Sequence, residues 1–266
     1  MSTPDLVESL AHEAGGQIAF AFHDLQTGIW ARHRADERVP TASVIKLPML
    51  VHIALAVDEG ALRWDEPITL AEAVKVAGSG ILKELGAGLS LSLRDLCLLM
   101  TALSDNTATN MLIDRVGIEA INARAQALGM AQTRLLRRAF SPDTPASIPF
   151  GLGVTTADEM AGLLVKIARR QLGDGAAADT VRDILATQQD RAGIPRMLPE
   201  GWAYAGKTGA VEALRADAGV ITAPDGRRFV LAAFCASMPI VDWTPDNPGL
   251  LAIARLAQAL LIPDEV

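Results

Sequence analysis

Pro40-Thr41-Ala42-Ser43-Val44-Ile45-Lys46-Leu47-Pro48-Met49 opens an apolar run that reads as a helix over residues 43–58, closed by Gly60. Pro48 falls within the first two turns, where few helix donors are lost. Ser43 and Lys46 are three residues apart, so both face the same side of the helix one turn apart. A serine hydroxyl is a weak nucleophile until a neighbouring base takes its proton. A lysine amine serves as that base only when burial or a second cation lowers its pKa. Alone the pair carries little. Ten serines and five lysines in 266 residues give this spacing by chance in roughly one chain in five.

Outward from this stretch, the pattern before it is strand-like. Residues 4–14 form a short helix with Leu6, Val7 and Leu10 on one face, ended by Gly15-Gly16. Gln17 to Asp24 alternates with Ile18, Phe20 and Phe22 on one side, and Gly28 to Arg34 returns as a second strand. After it, residues 61–92 read as irregular. Helices follow over 93–103 (stripe Leu96, Leu99, Met100, Leu103), from Asn106 to about Val116, and over 118–128. Residues 139–154 form a long Pro- and Gly-rich loop, and loops of this length are commonly functional. Thr156-x-x-Glu159 is a capping-box pattern before a helix over 157–170, and 178–188 is helical. Ala203–Gly209, Ala216–Thr222 and Arg228–Ser237 read as strands, the last two joined at Pro224-Asp225-Gly226, and residues 248–261 as an apolar helix.

Strands at both ends and helices between them predict an α/β (α+β) fold. One antiparallel sheet is built from both termini, flanked by terminal helices, with an all-helical subdomain inserted. The expected division is 1–60 plus 200–266 for the sheet-containing unit and 61–199 for the helical one, forming one structural unit.

Half the residues are hydrophobic but only 4% are aromatic, so aliphatic side chains must fill the core. A net charge of −7 argues against a general nucleic-acid or anionic-membrane surface. Cys97 and Cys235 cannot make a disulfide framework and are expected as buried free thiols. His12, His23, His33 and His52 show no metal-site spacing and read as structural. The N-terminus lacks a basic region followed by an apolar one, and no apolar run is long enough to span a membrane. The expectation is a soluble, monomeric protein acting on a small molecule. It is cytoplasmic as the sequence stands, and periplasmic or secreted where a leader has been removed.

Two further motifs give the serine–lysine pair its meaning. Ser104-Asp105-Asn106 lies between two helices and, alone, reads as capping residues. Lys207-Thr208-Gly209 lies on a strand and, alone, reads as an exposed edge. The functional alternative is a cation and a hydroxyl for a substrate carboxylate, with a glycine where backbones approach closely. All three motifs in this order arise by chance with a probability on the order of 10⁻⁴. The trio resembles the signature of class A β-lactamases and penicillin-binding proteins. Gly78-Ser79-Gly80-Ile81-Leu82, Thr155-Thr156 and Leu198-Pro199-Glu200-Gly201-Trp202 extend the resemblance from about residue 17 to the C-terminus. No Gly-x-Ser-x-Gly elbow is present, which removes an α/β-hydrolase.

The resemblance implies an acyl-enzyme on Ser43, with Lys46 as base or proton relay and Ser104 passing the proton to the leaving nitrogen. It implies an oxyanion hole from the N–H groups of Ser43 and Ala210. Asn106 would hold the substrate's side-chain amide, and Lys207, Thr208 and Gly209 its carboxylate end. Lys207 would also help keep Lys46 neutral. Asp105 and Asn110 look structural, and Arg215 is a candidate assistant for the carboxylate. No metal or organic cofactor is implied. One departure matters for turnover. Where the class A loop carries the glutamate that activates the deacylating water, alignment from Thr133-Arg134-Leu135 places Ala139. No Glu occurs between Glu119 and Glu159, and Asp143 is the only carboxylate in the loop. Cys97 matches half of a disulfide found in some members, but the partner position is Leu50. The resemblance therefore implies β-lactam hydrolysis that is weak. The alternatives are an esterase, amidase, D-amino-acid peptidase or acyltransferase on another substrate, or a penicillin-binding or sensing protein that acylates without turnover.

Overall fold

The structure, a computed structural model, describes residues 3–262. Residues 1–2 and 263–266, the ends of the expected sheet-containing unit, lie outside the described residues. The chain begins with α1 (Thr3–Ala14), β1 (Gln17–Asp24), β2 (Trp30–His33) and β3 (Val39–Pro40), then enters α2 (Lys46–Asp58). The short strands β4 (Pro67–Thr69) and β5 (Ser90–Ser92) bracket the stretch read as irregular and pair antiparallel. Helices α3 (Leu93–Ala102), α4 (Asn106–Val116) and α5 (Ile118–Ala127) follow. After them come β6 (Arg134–Leu135), β7 (Gly153–Thr155), α6 (Ala157–Ala168) and α7 (Ala176–Leu185). The chain closes with β8 (Ala203–Val211), β9 (Leu214–Thr222), β10 (Arg228–Ala236) and α8 (Pro248–Leu261).

The main sheet has the order β2-β1-β10-β9-β8, with every described pairing antiparallel. It is built from both ends of the chain, as the strand placement predicts. Both faces are covered. Ile18, Phe20 and Phe22 of β1 pack with Leu6 and Leu10 of α1 and with Ile253 and Leu256 of α8. The opposite face carries small residues, among them Ala19, Ala21, Ala216, Ala218 and Ala232. Helix α6 lies across β1, β9 and β10. The alternation read in β1 is therefore bulky against small, and both sides are buried.

Helix α2 is buried nearly all round, from Lys46 to Ala56, so it is the central helix of the core rather than an amphipathic surface one. It begins later than the sequence suggests. Ala42–Ile45 is a turn of 3₁₀ helix, and the α-helix starts at Lys46. With three residues per turn, a 3₁₀ segment superposes positions i and i+3, which helps to set Ser43 and Lys46 on one side. Pro48 sits third in α2, where its missing N–H is one the helix leaves unpaired.

Two local expectations shift. The buried stripe of α3 is Leu93, Leu96, Cys97, Met100 and Thr101, with Leu99 and Leu103 only half-buried. Cys97 behaves there as a small apolar residue, and both cysteines are free and buried. At α6 the Thr156 hydroxyl caps Glu159 N at 3.2 Å. The Glu159 carboxylate, however, accepts from Gln132 N and Thr133 Oγ1, at 2.7 and 2.6 Å, and so ties β6 to the helix. A complete capping box occurs instead at Ser92 and Asp95, which the sequence reading passes over. Among the described residues, no helix is long and apolar enough to cross a membrane.

Candidate active site

A cleft of about 750 Å³ opens over the 3₁₀ turn. Ser43 and Asn106 line it, with Ala139 and Phe140 on the loop side and Ala210 and Val211 on the strand side. Three separate stretches of chain meet here, and each is held by identifiable contacts.

The first is the Ser43 turn itself. Ala42 before it has φ +43°, a conformation costly for a residue with a side chain. Ser104 (φ +54°) and Phe140 (φ +59°) share this strain, so three of the six such residues among the described ones belong to the site. Strained backbone persists where surrounding contacts over-determine it, and it clusters at functional sites.

The second is the Ser104-Asp105-Asn106 junction. Asp105 caps α4 through Ala108 N at 2.9 Å and accepts from Ile81 N and Leu82 N at 2.7 and 2.9 Å. Asn106 N donates to Ser79 O at 3.0 Å. These bonds fasten residues 78–82 as a cleft wall and leave the Ser104 and Asn106 side chains turned to Lys46. Lys46 Nζ lies 2.7 Å from Ser104 O, 3.1 Å from Ser104 Oγ and 2.9 Å from Asn106 Oδ1. Two of these are carbonyl oxygens, which take two N–H groups. The third acceptor is the Ser104 hydroxyl oxygen. Lys46 is 1% exposed. Burial, reinforced by the Lys207 charge and opposed by Asp105, holds its amine well below the usual lysine range.

The third is β8, the outer edge of the sheet. The edge is not exposed at Lys207, which is fully buried and donates to Thr208 O at 2.9 Å. The 3₁₀ turn covers it, and Gly209 makes that approach feasible. A Cβ there would stand 2.8 Å from Thr41 O and 3.1 Å from Ser43 N. The glycine thus lets the backbone of β8 lie against the Ser43 amide, with Ala210 next along the strand at the cleft surface. Burial lowers the Lys207 amine to about 8, against the attraction of Asp217 and Asp190.

The loop over residues 139–152 forms the remaining wall. Asn110 grips Ala139 from both sides, its Nδ2 donating to Ala139 O at 3.0 Å and its Oδ1 accepting from Ala139 N at 2.9 Å. Ala139 is buried and lines the cleft, so the position is fixed while its side chain is a methyl. Asp143 is not brought to the cleft. It faces Arg137 Nε at 3.2 Å and accepts from Ser147 Oγ at 3.1 Å, closing the loop on itself. Arg215 is also spent elsewhere. Its guanidinium donates to Val211 O and Leu214 O at 2.6 and 2.7 Å and to Asp242 O. It stacks under Trp243 at 4.7 Å. It therefore shapes the turn after β8 and does not line the cleft.

The structure thus brings Ser43, Asn106 and Ala210 into the cleft lining, with Lys46 contacting Ser104 and Asn106 beneath it. It adds wall residues the sequence does not single out, among them Arg137, Phe140, Glu212 and Trp243. The available signal for the aromatic pair is scarcity, since the chain has only six Phe and four Trp.

A family model described as the β-lactamase enzyme family matches residues 5–262. A β-lactamase of Streptomyces fradiae is 30% identical over 249 residues, spanning 90% of this chain and 79% of that protein. The crystal structure of a β-lactamase from Sphaerobacter thermophilus superposes with a TM-score of 0.88 at 31% identity, covering 97% of this chain and 95% of that one. A mutant of PBP-A, described as an acyl-enzyme complex with penicillin G, superposes with a TM-score of 0.84 at 26% identity over 98% and 97% of the two chains.

Proposed function

The chain belongs to the β-lactamase enzyme family, and from that premise we propose that it is a serine hydrolase that opens β-lactams on Ser43 and releases the acyl group slowly. One observation carries the first half: a buried lysine amine, held well below the usual lysine range, is seated on Ser104 and Asn106 one turn from Ser43. In the proposed step the Ser43 oxygen bonds to the lactam carbonyl carbon and the carbonyl–nitrogen bond breaks. The serine proton passes to Lys46, and as Ser104 gives its hydroxyl proton to the leaving nitrogen it takes one back from Lys46, which lies 3.1 Å away. The N–H groups of Ser43 and Ala210 hold the oxyanion. Asn106 holds the acyl-side amide, and Lys207 with Thr208 the carboxylate. Ala139 carries the second half, because the loop offers no carboxylate to the cleft from its clamped position.

The test is a chromogenic cephalosporin assay with intact-protein mass recorded on the same sample. The expected record is a burst of about one equivalent, then a slow steady phase while the adduct on Ser43 persists. Fast steady colour without adduct overturns slow release. Neither colour nor adduct overturns lactam opening. That result supports a second reading, also favoured by Ala139, of an esterase, amidase, D-amino-acid peptidase or acyltransferase on a non-lactam donor.

A pH dependence follows from Lys207. A lysine is cationic below its pKa, here about 8, so its hold on a carboxylate weakens as the pH rises through that value. Acylation efficiency, which reports the free enzyme, is expected to fall above about pH 8 for a carboxylate-bearing donor. The methyl ester of the same donor should not show that fall. Parallel profiles for the two would remove Lys207 from carboxylate binding.

A further inference from the structure

Two aromatic side chains stand at the rim of the cleft where a soluble protein gains nothing by exposing them. Phe140 is 60% exposed and Trp243 is 62% exposed, and both line the cleft. They come from unrelated parts of the chain, the loop after β6 and the segment after β10. Each is pinned. Phe140 keeps its strained φ within a turn in which Ser141 N and Oγ both donate to Arg138 O, at 3.3 and 2.9 Å. Arg137 adds a bond to Ser141 O at 2.7 Å, and the preceding Ala139 is clamped by Asn110. Trp243 rests on the Arg215 guanidinium, and the adjacent Asp242 carbonyl accepts from Arg215 and from Asn247 Nδ2. Rigid aromatic surface that is already in place before binding lowers the entropy a ligand must lose.

The position of Phe140 says which end of a substrate it meets. A Cβ on Gly78 would lie 2.7 Å from Asn106 Nδ2 and 2.8 Å from the Phe140 ring, so the amide and the ring adjoin at that glycine. Val211, 45% exposed, and Leu152 extend the apolar lining. The charged side chains in the lining are Arg137, engaged with loop carbonyls, and Glu212, exposed at the rim. No free cation among the lining residues would receive an anionic acyl group, and Glu212 would repel one.

We propose that Phe140 and Trp243 are specificity-determining residues that select acyl donors carrying an aromatic acyl group and disfavour anionic ones. This rests on the acyl-enzyme reading given above, with Asn106 on the acyl side.

The experiment measures the second-order rate of adduct formation on Ser43, by intact mass, for three penams that differ only in the 6-amido group: acetyl, phenylacetyl and succinyl. Burial of a phenyl ring predicts a phenylacetyl rate about tenfold to a hundredfold above the acetyl rate, with succinyl slowest. Phe140→Ala and Trp243→Ala should each lower the phenylacetyl-to-acetyl ratio severalfold, and Phe140→Leu should keep part of it. Equal rates for phenylacetyl and acetyl overturn the proposal. So does a loss in the alanine variants that is the same for all three penams, since that marks a purely structural role. Absence of an adduct with every penam instead overturns the acyl-enzyme reading, and this proposal falls with it.

Discussion

Ala139→Glu is expected to speed release of the acyl group from Ser43 by about 10²- to 10⁴-fold, the usual contribution of a well-placed general base. The position suits the experiment because the backbone there is already fixed. Asn110 satisfies both the N–H and the carbonyl of Ala139, so a longer side chain begins from a known point on the cleft wall rather than from a mobile loop. The cleft is roomy, and no carboxylate from the loop lines it; the one carboxylate in the lining, Glu212, comes from the turn after β8. Single-turnover kinetics would separate the steps. The acylation rate should change little, while the lifetime of the adduct shortens. An unchanged lifetime in a folded variant would show that water is absent from that side of the acyl group or is activated from elsewhere.

Ser43→Ala is expected to abolish the covalent adduct entirely. Lys46→Met should lower its rate of formation by about 10³- to 10⁴-fold. Methionine preserves most of the lysine volume, so the comparison isolates the amine. Its cost is that Ser104 O and Asn106 Oδ1 lose a donor inside the protein. Each unsatisfied acceptor costs roughly 1–3 kcal/mol, partly offset because a polar amine is no longer buried. Thermal denaturation beside the kinetics distinguishes the two effects. Near-normal rates in Lys46→Met would leave the amine without a catalytic part, and a residual adduct in Ser43→Ala would move the nucleophile elsewhere.

Much of this architecture was legible in the sequence because its determinants are local. Period-two apolar residues marked β1, and the helix stops at Gly117 and Gly129 fall where the chain turns. The site was legible for a different reason. The proposed nucleophile, lysine, second serine and strand motif are short patterns made of the residue types that the proposed chemistry needs. What escaped was set by side-chain partnerships that no short sequence pattern announces. Nothing near Asp143 says that Arg137 and Ser147 will occupy it. Nothing near Arg215 says that its guanidinium will be used up by carbonyls of its own turn and of Asp242. The paired strands β4 and β5 escaped because three-residue ladders leave no periodicity to count. The rim aromatics escaped because exposure is a property of the assembled surface.

The joining of first and last strands has a consequence for how the protein is made. β1 pairs early with β2 but gains its other neighbour, β10, from the far end of the chain, and the Ser43 turn packs against β8, which is also made late. During ribosomal synthesis both early segments therefore emerge long before the pieces that complete them, and contacts this distant in sequence form slowly. A half-synthesised chain can already contain the 3₁₀ turn with Ser43 and α2 with Lys46. It lacks the β8 edge beside the Ser43 amide and the Lys207 charge that helps to lower the Lys46 amine. On the proposed acyl-enzyme function, reactivity arrives with closure of the sheet, and a labelled acyl donor is expected to count finished molecules rather than polypeptide.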